Sequence, residues 1–133
     1  MSKPILEVTL QNVGGQTSHA LTVFDARSRY TMVRESALPA DTQVLPYRAP
    51  DERRTVAQAG RVRVTGWTHL VISIGDRMIE DYAGVSPDLP GEAIIGAETM
   101  RMWEVSIRND HGHTSVVVGR DMRDPDIIEV DSL

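Results

Sequence analysis

The sequence contains no cysteine, a single lysine and few aromatic residues, and each shortage excludes a class of protein. Without cysteine the chain has no disulfide, no thiolate nucleophile and no cysteine-ligated zinc. The lysine is Lys3 and the formal net charge is −5, so the basic surface of a nucleic-acid-binding protein is missing. No apolar run approaches the roughly 20 residues that cross a bilayer, and the first residues do not resemble a signal peptide. We therefore expect a soluble, cytoplasmic protein with no nucleic-acid or membrane partner.

The length of 133 residues fits one domain that buries a hydrophobic core without disulfides. We place this domain at residues 1–120 and treat residues 121–133 as an acidic C-terminal tail. The tail contains one apolar segment at residues 127–130. A segment of this kind can form an added strand at an interface with a partner chain.

Apolar residues alternate with polar ones along the first part of the chain, which predicts strands rather than helices. The first two strands lie at residues 4–10 and 18–24, joined by a glycine-containing hairpin turn. A short apolar segment follows at residues 30–33. Three prolines then predict a surface connection across residues 34–51 rather than a central strand.

The second half of the chain continues the alternation and adds one helical segment. Further strands are predicted at residues 53–57, 61–65, 67–74, 78–85, 93–96, 104–108 and 114–119. Residues 97–103 have helical spacing, and we expect Met100, Met102 and Trp103 to pack this helix against the sheet. Many short strands with one short helix predict an all-β protein, a small closed barrel or two-layer structure.

Three segments, in their order and spacing, resemble the retropepsin-like (retroviral-type) aspartic protease family. The segment LTVFDARSRYT at residues 21–31 is similar to the family's apolar strand followed by Asp-Thr/Ser-Gly. The segment AIIGAETM at residues 93–100 is similar to its apolar-apolar-Gly motif before a C-terminal helix. Between them, VAQAGRVRVTG at residues 56–66 resembles the hairpin, called the flap, that covers the substrate.

The resemblance implies an acid-protease fold, formed by a small closed β-barrel with a flap hairpin and one short C-terminal helix. It assigns catalysis to Asp25 and the rest of the active-site loop to Ala26, Arg27 and Ser28. It assigns the flap to Ala57, Gln58, Ala59 and Gly60, and the fold motif to Ile94, Ile95 and Gly96. It implies peptide-bond hydrolysis without a metal or other cofactor.

The chemistry of this family requires two carboxyl groups about 3 Å apart that share one proton. The ionised carboxylate accepts a proton from water, and the protonated one donates to the peptide carbonyl oxygen. Since this chain offers one suitable aspartate at a strand end, the pair requires a homodimer with Asp25 of each copy on a two-fold axis. Its ligand or substrate would be a peptide or protein.

The active-site loop departs from the family pattern at two positions. Ala26 lacks the threonine hydroxyl that braces the two loops across the dimer. Arg27 replaces a glycine, and a guanidinium beside the two carboxylates would favour loss of their shared proton. The alternative function is therefore a non-catalytic homodimeric peptide-binding or regulatory protein of the same fold. An unrelated small β-barrel acting as a binding module is a third interpretation.

Two features have simpler alternatives that the residues leave open. Asp25 follows a strand, and an aspartate there often only caps a turn. His111 and His113 flank Gly112 and would offer a metal two ligands, with His19 and His69 as further candidates. We interpret the histidine pair as part of a hairpin turn and predict no metal site.

Overall fold

The computed structural model describes residues 3–55 and 60–124, and for residues 49–55 and 60 it describes the backbone alone. These residues form an all-β structure with one short α-helix. The strands in chain order are β1 (Ile5–Gln11), β2 (Thr17–Phe24), β3 (Met32–Arg34), β4 (Leu45–Thr55), β5 (Gly60–Ile74), β6 (Arg77–Ser86), β7 (Ala93–Ile95), β8 (Val105–Asp110) and β9 (His113–Val118). A 3₁₀ helix (Glu35–Ala37) follows β3, and helix α1 (Ala97–Met102) follows β7.

Six of the strands close into a barrel. Their order is β1, β2, β7, β3, β6 and β5, and β5 pairs back to β1 through Thr9 and Ser73. Two of these pairings are parallel, β2 with β7 and β3 with β6, whereas the others are antiparallel. The prediction of an all-β small closed barrel with one short helix is confirmed.

Strand β4 lies outside the barrel and pairs only with β5 among the described strands. The two form a hairpin whose register runs to Thr55 opposite Gly60. The connection predicted for residues 34–51 is too long, since β4 already begins at Leu45. Its prolines are accommodated because β4 is an edge strand whose register shifts between Pro46 and Asp51. Of the predicted flap residues, Gly60 begins β5, and Ala57, Gln58 and Ala59 lie outside the described residues.

Strand β5 is continuous through Gly66, where the sequence predicted two strands. A Cβ atom at Gly66 would lie 2.5 Å from the backbone oxygen of Leu45 and 2.7 Å from the side chain of Val44. The glycine therefore permits a close approach of the chain entering β4 and does not interrupt the strand.

The core fills the barrel from alternate positions of its strands. In β5, for example, Val64, Leu70 and Ile72 are each at most 1% exposed, whereas Arg61 and Arg63 point outward. Burial of each such aliphatic side chain stabilises the fold by about 1.5–3 kcal/mol. Met100 and Trp103 pack in this core, as the helical spacing predicted. The prediction for Met102 is wrong, because its side chain is 61% exposed.

The residues that follow β9 contact the barrel. The backbone N–H of Met122 donates to the carbonyl of Met78, 2.8 Å away, and Asp121 is buried. The division of the chain at residue 120 stays a prediction, and residues 127–130 lie outside the described residues. Within the described ranges, no helix is long and apolar enough to cross a membrane.

Candidate active site around Asp25

Asp25 is the first residue after β2, at the point where β2 runs parallel to β7. The pairs in this parallel register include Val23 with Ile94 and Phe24 with Ile95. The backbone N–H of Asp25 continues the pairing by donating to the carbonyl of Ile95, 3.0 Å away. Both isoleucines are at most 4% exposed, so the strand that holds Asp25 is anchored in the core.

The loop after Asp25 is interlocked with the segment at Gly96. Ala97 donates its backbone N–H to the carbonyl of Ser28 at 2.6 Å, and Glu98 donates to Arg29 at 3.1 Å. A Cβ atom at Gly96 would lie 2.5 Å from the backbone carbon and oxygen of Tyr30. Only a glycine permits the two loops to approach this closely, which gives the predicted Ile94-Ile95-Gly96 motif a physical role.

A chain of buried hydroxyl groups supports the interlocked loops from below, and sequence reasoning did not find it. The backbone N–H of Gly96 donates to Thr31 Oγ1 at 3.1 Å, and the hydroxyls of Thr31 and Thr99 are 2.6 Å apart. Thr99 donates to a carboxylate oxygen of Asp81. Since that hydroxyl proton is committed to Asp81, Thr31 must be the donor to Thr99. Each hydroxyl thus donates and accepts, and such chains strengthen cooperatively.

The carboxylate of Asp25 is only 2% exposed, and its two oxygens have different surroundings. Oδ1 accepts a hydrogen bond from the backbone N–H of Arg27 at 3.0 Å, and the Arg27 Nε lies 3.9 Å away. Oδ2 lies 2.9 Å from the ammonium nitrogen of Lys3. This contact is an ion pair without hydrogen-bond alignment, because Oδ2 has no aligned donor among the described residues.

Lys3 reaches Asp25 because β1 begins beside the end of β2. Ile5 lies opposite Val23, and the backbone N–H of Phe24 donates to the carbonyl of Pro4 at 3.0 Å. Sequence reasoning noted that Lys3 is the single lysine but did not connect it with the aspartate. A cation immediately before a strand predicted to pair with β2 was the available signal.

The other loop residues point in different directions. Ala26 and Arg27 are exposed, and the Arg27 side chain retains 66% of its accessible surface. Ser28 is buried, and its hydroxyl donates to the carbonyl of Tyr30 rather than to Asp25. The carboxylate opens to a pocket of about 380 Å³, which is lined by Lys3, Pro4, Phe24, Asp25, Ala26, Arg27, Ile107 and Asn109.

The described part of the site thus joins one buried carboxylate, two cations and an open pocket on a rigid frame. Such a group can bind a positive or hydrogen-bond-donating partner, and a second carboxyl group beside it would share a proton. No cluster of three or more histidine, cysteine, aspartate or glutamate side chains within residues 3–55 and 60–124 is placed to hold a metal ion. His111 lies in the turn between β8 and β9 at a φ of 49°.

Fold and site define a closed six-stranded β-barrel with a carboxylate at the junction of two interlocked loops. The sequence matches no model of a known protein family, and it matches no curated protein.

Proposed function

We propose that this chain is a retropepsin-like aspartic protease domain that hydrolyses peptide bonds as a homodimer, with Asp25 of each copy in the shared site. The observation that carries the proposal is the interlock around Asp25. The two backbone hydrogen bonds from Ala97 and Glu98 join the Asp25 loop to the Gly96 segment. A carboxylate supported in this way by backbone on both sides keeps the narrow geometry that proton transfer requires.

A dimer is required because the reaction uses two carboxyl groups and one chain supplies one at this position. Two carboxylates in contact cannot both ionise readily, so the pair retains a proton. The Oδ2 atom of Asp25 has no aligned donor among the described residues, and the Lys3 ammonium beside it would have to move aside for the second carboxyl group. A proton on the second copy's Asp25 would supply that donor across a two-fold axis.

The proposed reaction begins with a water molecule between the two Asp25 side chains. The ionised carboxylate takes a proton from the water while the water oxygen bonds to the peptide carbonyl carbon. At the same time the protonated carboxyl gives its proton to the carbonyl oxygen. The tetrahedral diol then loses a hydroxyl proton to one carboxylate as the C–N bond breaks. The other carboxyl protonates the leaving nitrogen, which restores the starting pair.

A second function, a non-catalytic homodimeric peptide-binding or regulatory protein, is favoured by the cations beside Asp25. Lys3 lies 2.9 Å from Oδ2, where the shared proton of a catalytic pair would lie. Arg27 adds a second positive charge, and Ala26 has no hydroxyl to brace a partner loop. In this alternative the pocket holds an extended peptide without cleaving it.

Cleavage assays separate the two functions. A mixed peptide library is incubated between about pH 3 and pH 8 with the unaltered chain, with Asp25→Asn and with Asp110→Asn. Asp110 is a matched control because its side chain is 82% exposed on the hairpin of β8 and β9. Cleavage that is lost only in Asp25→Asn supports the protease. Binding of peptides without cleavage at any pH supports the second function.

Two further variants test whether the cations suppress catalysis. Lys3→Met removes the ammonium, and the double variant Ala26→Thr with Arg27→Gly restores the family pattern. An increase in cleavage in either variant would show that these residues limit the reaction. Light scattering on the same samples measures the mass in solution, and a monomer at high concentration would contradict both homodimeric functions.

A further inference from the structure

Four of the six aromatic side chains of this protein line one pocket. The other two, Phe24 and Trp103, are buried in the core. The pocket that the four share has a volume of about 380 Å³, and its aromatic lining consists of Tyr30, Tyr47, Trp67 and Tyr82. In a chain with so few aromatic residues, a surface cluster of this kind marks a binding site rather than spare hydrophobic surface.

The register of β5 and β6 arranges these rings. Trp67 lies opposite Gly84 and His69 lies opposite Tyr82, so the three rings project from the outer face of the sheet. The Trp67 and Tyr82 rings meet edge to face at 4.9 Å and 73°, and those of His69 and Tyr82 at 5.2 Å and 69°. Gly84, which has no side chain and lies opposite Trp67, lines the same pocket.

A second pocket, of about 520 Å³, shares Trp67 and Tyr82 with the first. This second part adds Leu45, Val13 and Asp41, and the first two are exposed apolar side chains. We call the whole surface the aromatic groove; it is formed by Tyr30, Tyr47, Trp67, Tyr82, His69, Leu45, Val13 and Asp41. The described residues of this groove do not include any that line the pocket around Asp25.

The groove has no free backbone edge at its centre. Trp67 pairs with Leu45 on one side and with Gly84 on the other. A ligand can therefore add a strand only along the outer edge of β4, which carries Leu45 and Tyr47, and recognition at Trp67 must come from the rings. Polyproline II segments suit this surface, because they need no backbone partner and dock between aromatic side chains.

Charge selects among such segments. The formally charged side chain that lines the two pockets is Asp41, and their described lining contains neither lysine nor arginine. Asp41 is exposed, and its carboxylate has a hydrogen bond of 3.5 Å from Gln16 Nε2. A carboxylate at the end of an aromatic groove complements a basic residue at the end of a ligand.

We propose that the aromatic groove binds a proline-rich segment of a partner protein, with an arginine or lysine of that segment beside Asp41. The rings of Trp67 and Tyr82 hold the prolines, and the exposed Leu45 extends the contact. The groove is a separate pocket from that around Asp25, because the two share no described lining residue, although Tyr30 and Thr31 of the groove belong to the chain that follows Asp25.

The test uses the full chain and a library of synthetic Pro-x-x-Pro peptides that each carry one arginine. Binding is followed by tryptophan fluorescence, and a Trp67→Phe variant assigns the signal since Trp103 is then the only tryptophan. We expect peptides from the library to bind. The Tyr82→Ala variant should lower their affinity about 10-fold or more, as truncation of an aromatic anchor does at other interfaces. Asp41→Asn should weaken binding several-fold and reduce its dependence on salt.

Matched controls make the outcomes decisive. Leu21→Ala removes an exposed apolar side chain outside the groove and should leave binding unchanged. Peptides with alanine in place of proline, or glutamate in place of arginine, should bind more weakly. The proposal is overturned if no library peptide binds, if the alanine peptides bind equally well, or if Tyr82→Ala has no effect. It is also overturned if Tyr82→Ala instead abolishes self-association, because the groove would then hold a second copy.

Discussion

Two aspartates in this molecule are equally buried beside cations, yet their carboxylates are satisfied to different extents. Asp25 and Asp121 are each 2% exposed. Asp121 accepts hydrogen bonds from the backbone N–H groups of Met78 and Arg123 at 2.6 and 2.8 Å. The Arg123 guanidinium adds bonds of 2.9 and 3.1 Å, one to each oxygen.

The carboxylate of Asp121 is therefore saturated on both oxygens. Its hydrogen bonds with the Arg123 side chain hold the pKa of the Asp121 carboxyl well below its usual range, although burial acts in the opposite direction. These contacts join the chain after β9 to the start of β6. Asp121 therefore has a structural role.

Asp25 has one aligned bond, from Arg27 to Oδ1, and an ion pair with Lys3 at Oδ2. A buried polar atom without an aligned partner is uncommon in folded proteins and calls for an explanation. The contrast with Asp121 teaches that this chain can satisfy a buried carboxylate completely from its own residues. At Asp25 it leaves one oxygen with the Lys3 ion pair and no aligned hydrogen bond among the described residues.

The largest predicted effect is that of Asp25→Asn on activity. We expect cleavage to fall about 10²–10⁴-fold, because an amide cannot carry the proton between water and substrate. The Tm should remain close to that of the unaltered chain, since Oδ2 has no aligned bond to lose and Lys3 can turn toward solvent. If Asp25→Asn lowers the Tm as much as Asp121→Asn does, Asp25 has a structural role like that of Asp121, and the contrast between the two aspartates fails.

Gly96→Ala tests the frame around the Asp25 carboxylate. The new methyl group would lie 2.5 Å from the backbone of Tyr30, so the two loops must separate. We expect the free energy of unfolding to fall by about 3 kcal/mol, at the upper end for overpacking. Gly14→Ala is the control, because its Cβ meets the flexible end of Gln16 at 2.9 Å. Equal stability of both variants in urea would show that the loops are not interlocked as described.

The barrel and its strands could be predicted because alternation of apolar residues is a local property. The wrong predictions of strand boundaries concern positions whose structure depends on a segment distant in sequence. Gly66 was predicted to end a strand, but it lies within β5 because the backbone of Leu45 packs closely against it. The prolines of β4 indicated a loop, but an edge strand with a shifted register accommodates them.

Of the site, the sequence predicted the residues that follow a strand but not those that reach it from elsewhere. Lys3 is placed beside Asp25 by strand pairing, and Thr99 is placed beneath Gly96 by helix α1. For Lys3 the predicted pairing of the first two strands was a signal that was not used, whereas the Thr99 contact has none in the neighbouring sequence. The homodimer and the flap residues 57–59 stay predictions, since they concern a second chain and a segment outside the described residues.

Thr31→Val examines the hydroxyl chain that supports the Asp25 loop. The variant leaves the Gly96 N–H without its buried acceptor and breaks the contact with Thr99. We expect a loss of about 1–3 kcal/mol in the free energy of unfolding, as for an unsatisfied buried donor. Thr114→Val is the matched control on an exposed hairpin, where the loss should stay within about 0.5 kcal/mol. Comparable losses in the two variants would argue against the chain of hydroxyls.

The smallest effect, and the one that completes the contrast, is the pH dependence of Asp121→Asn. The lowered pKa means that folding favours the ionised carboxylate, so its contribution to stability is fully present above the unfolded value of about 3.8. The contribution declines as the pH falls below that value and disappears once the folded carboxyl is protonated as well. We therefore expect Asp121→Asn to lower the Tm by a few degrees near neutral pH, and by progressively less below about pH 4. Thermal unfolding of both chains across this range measures the difference, with exposed Asp110→Asn as the control. If the difference in Tm is the same at acidic and neutral pH, the hydrogen bonds to the ionised Asp121 carboxylate do not stabilise the fold. The contrast between Asp121 and Asp25 would then fail.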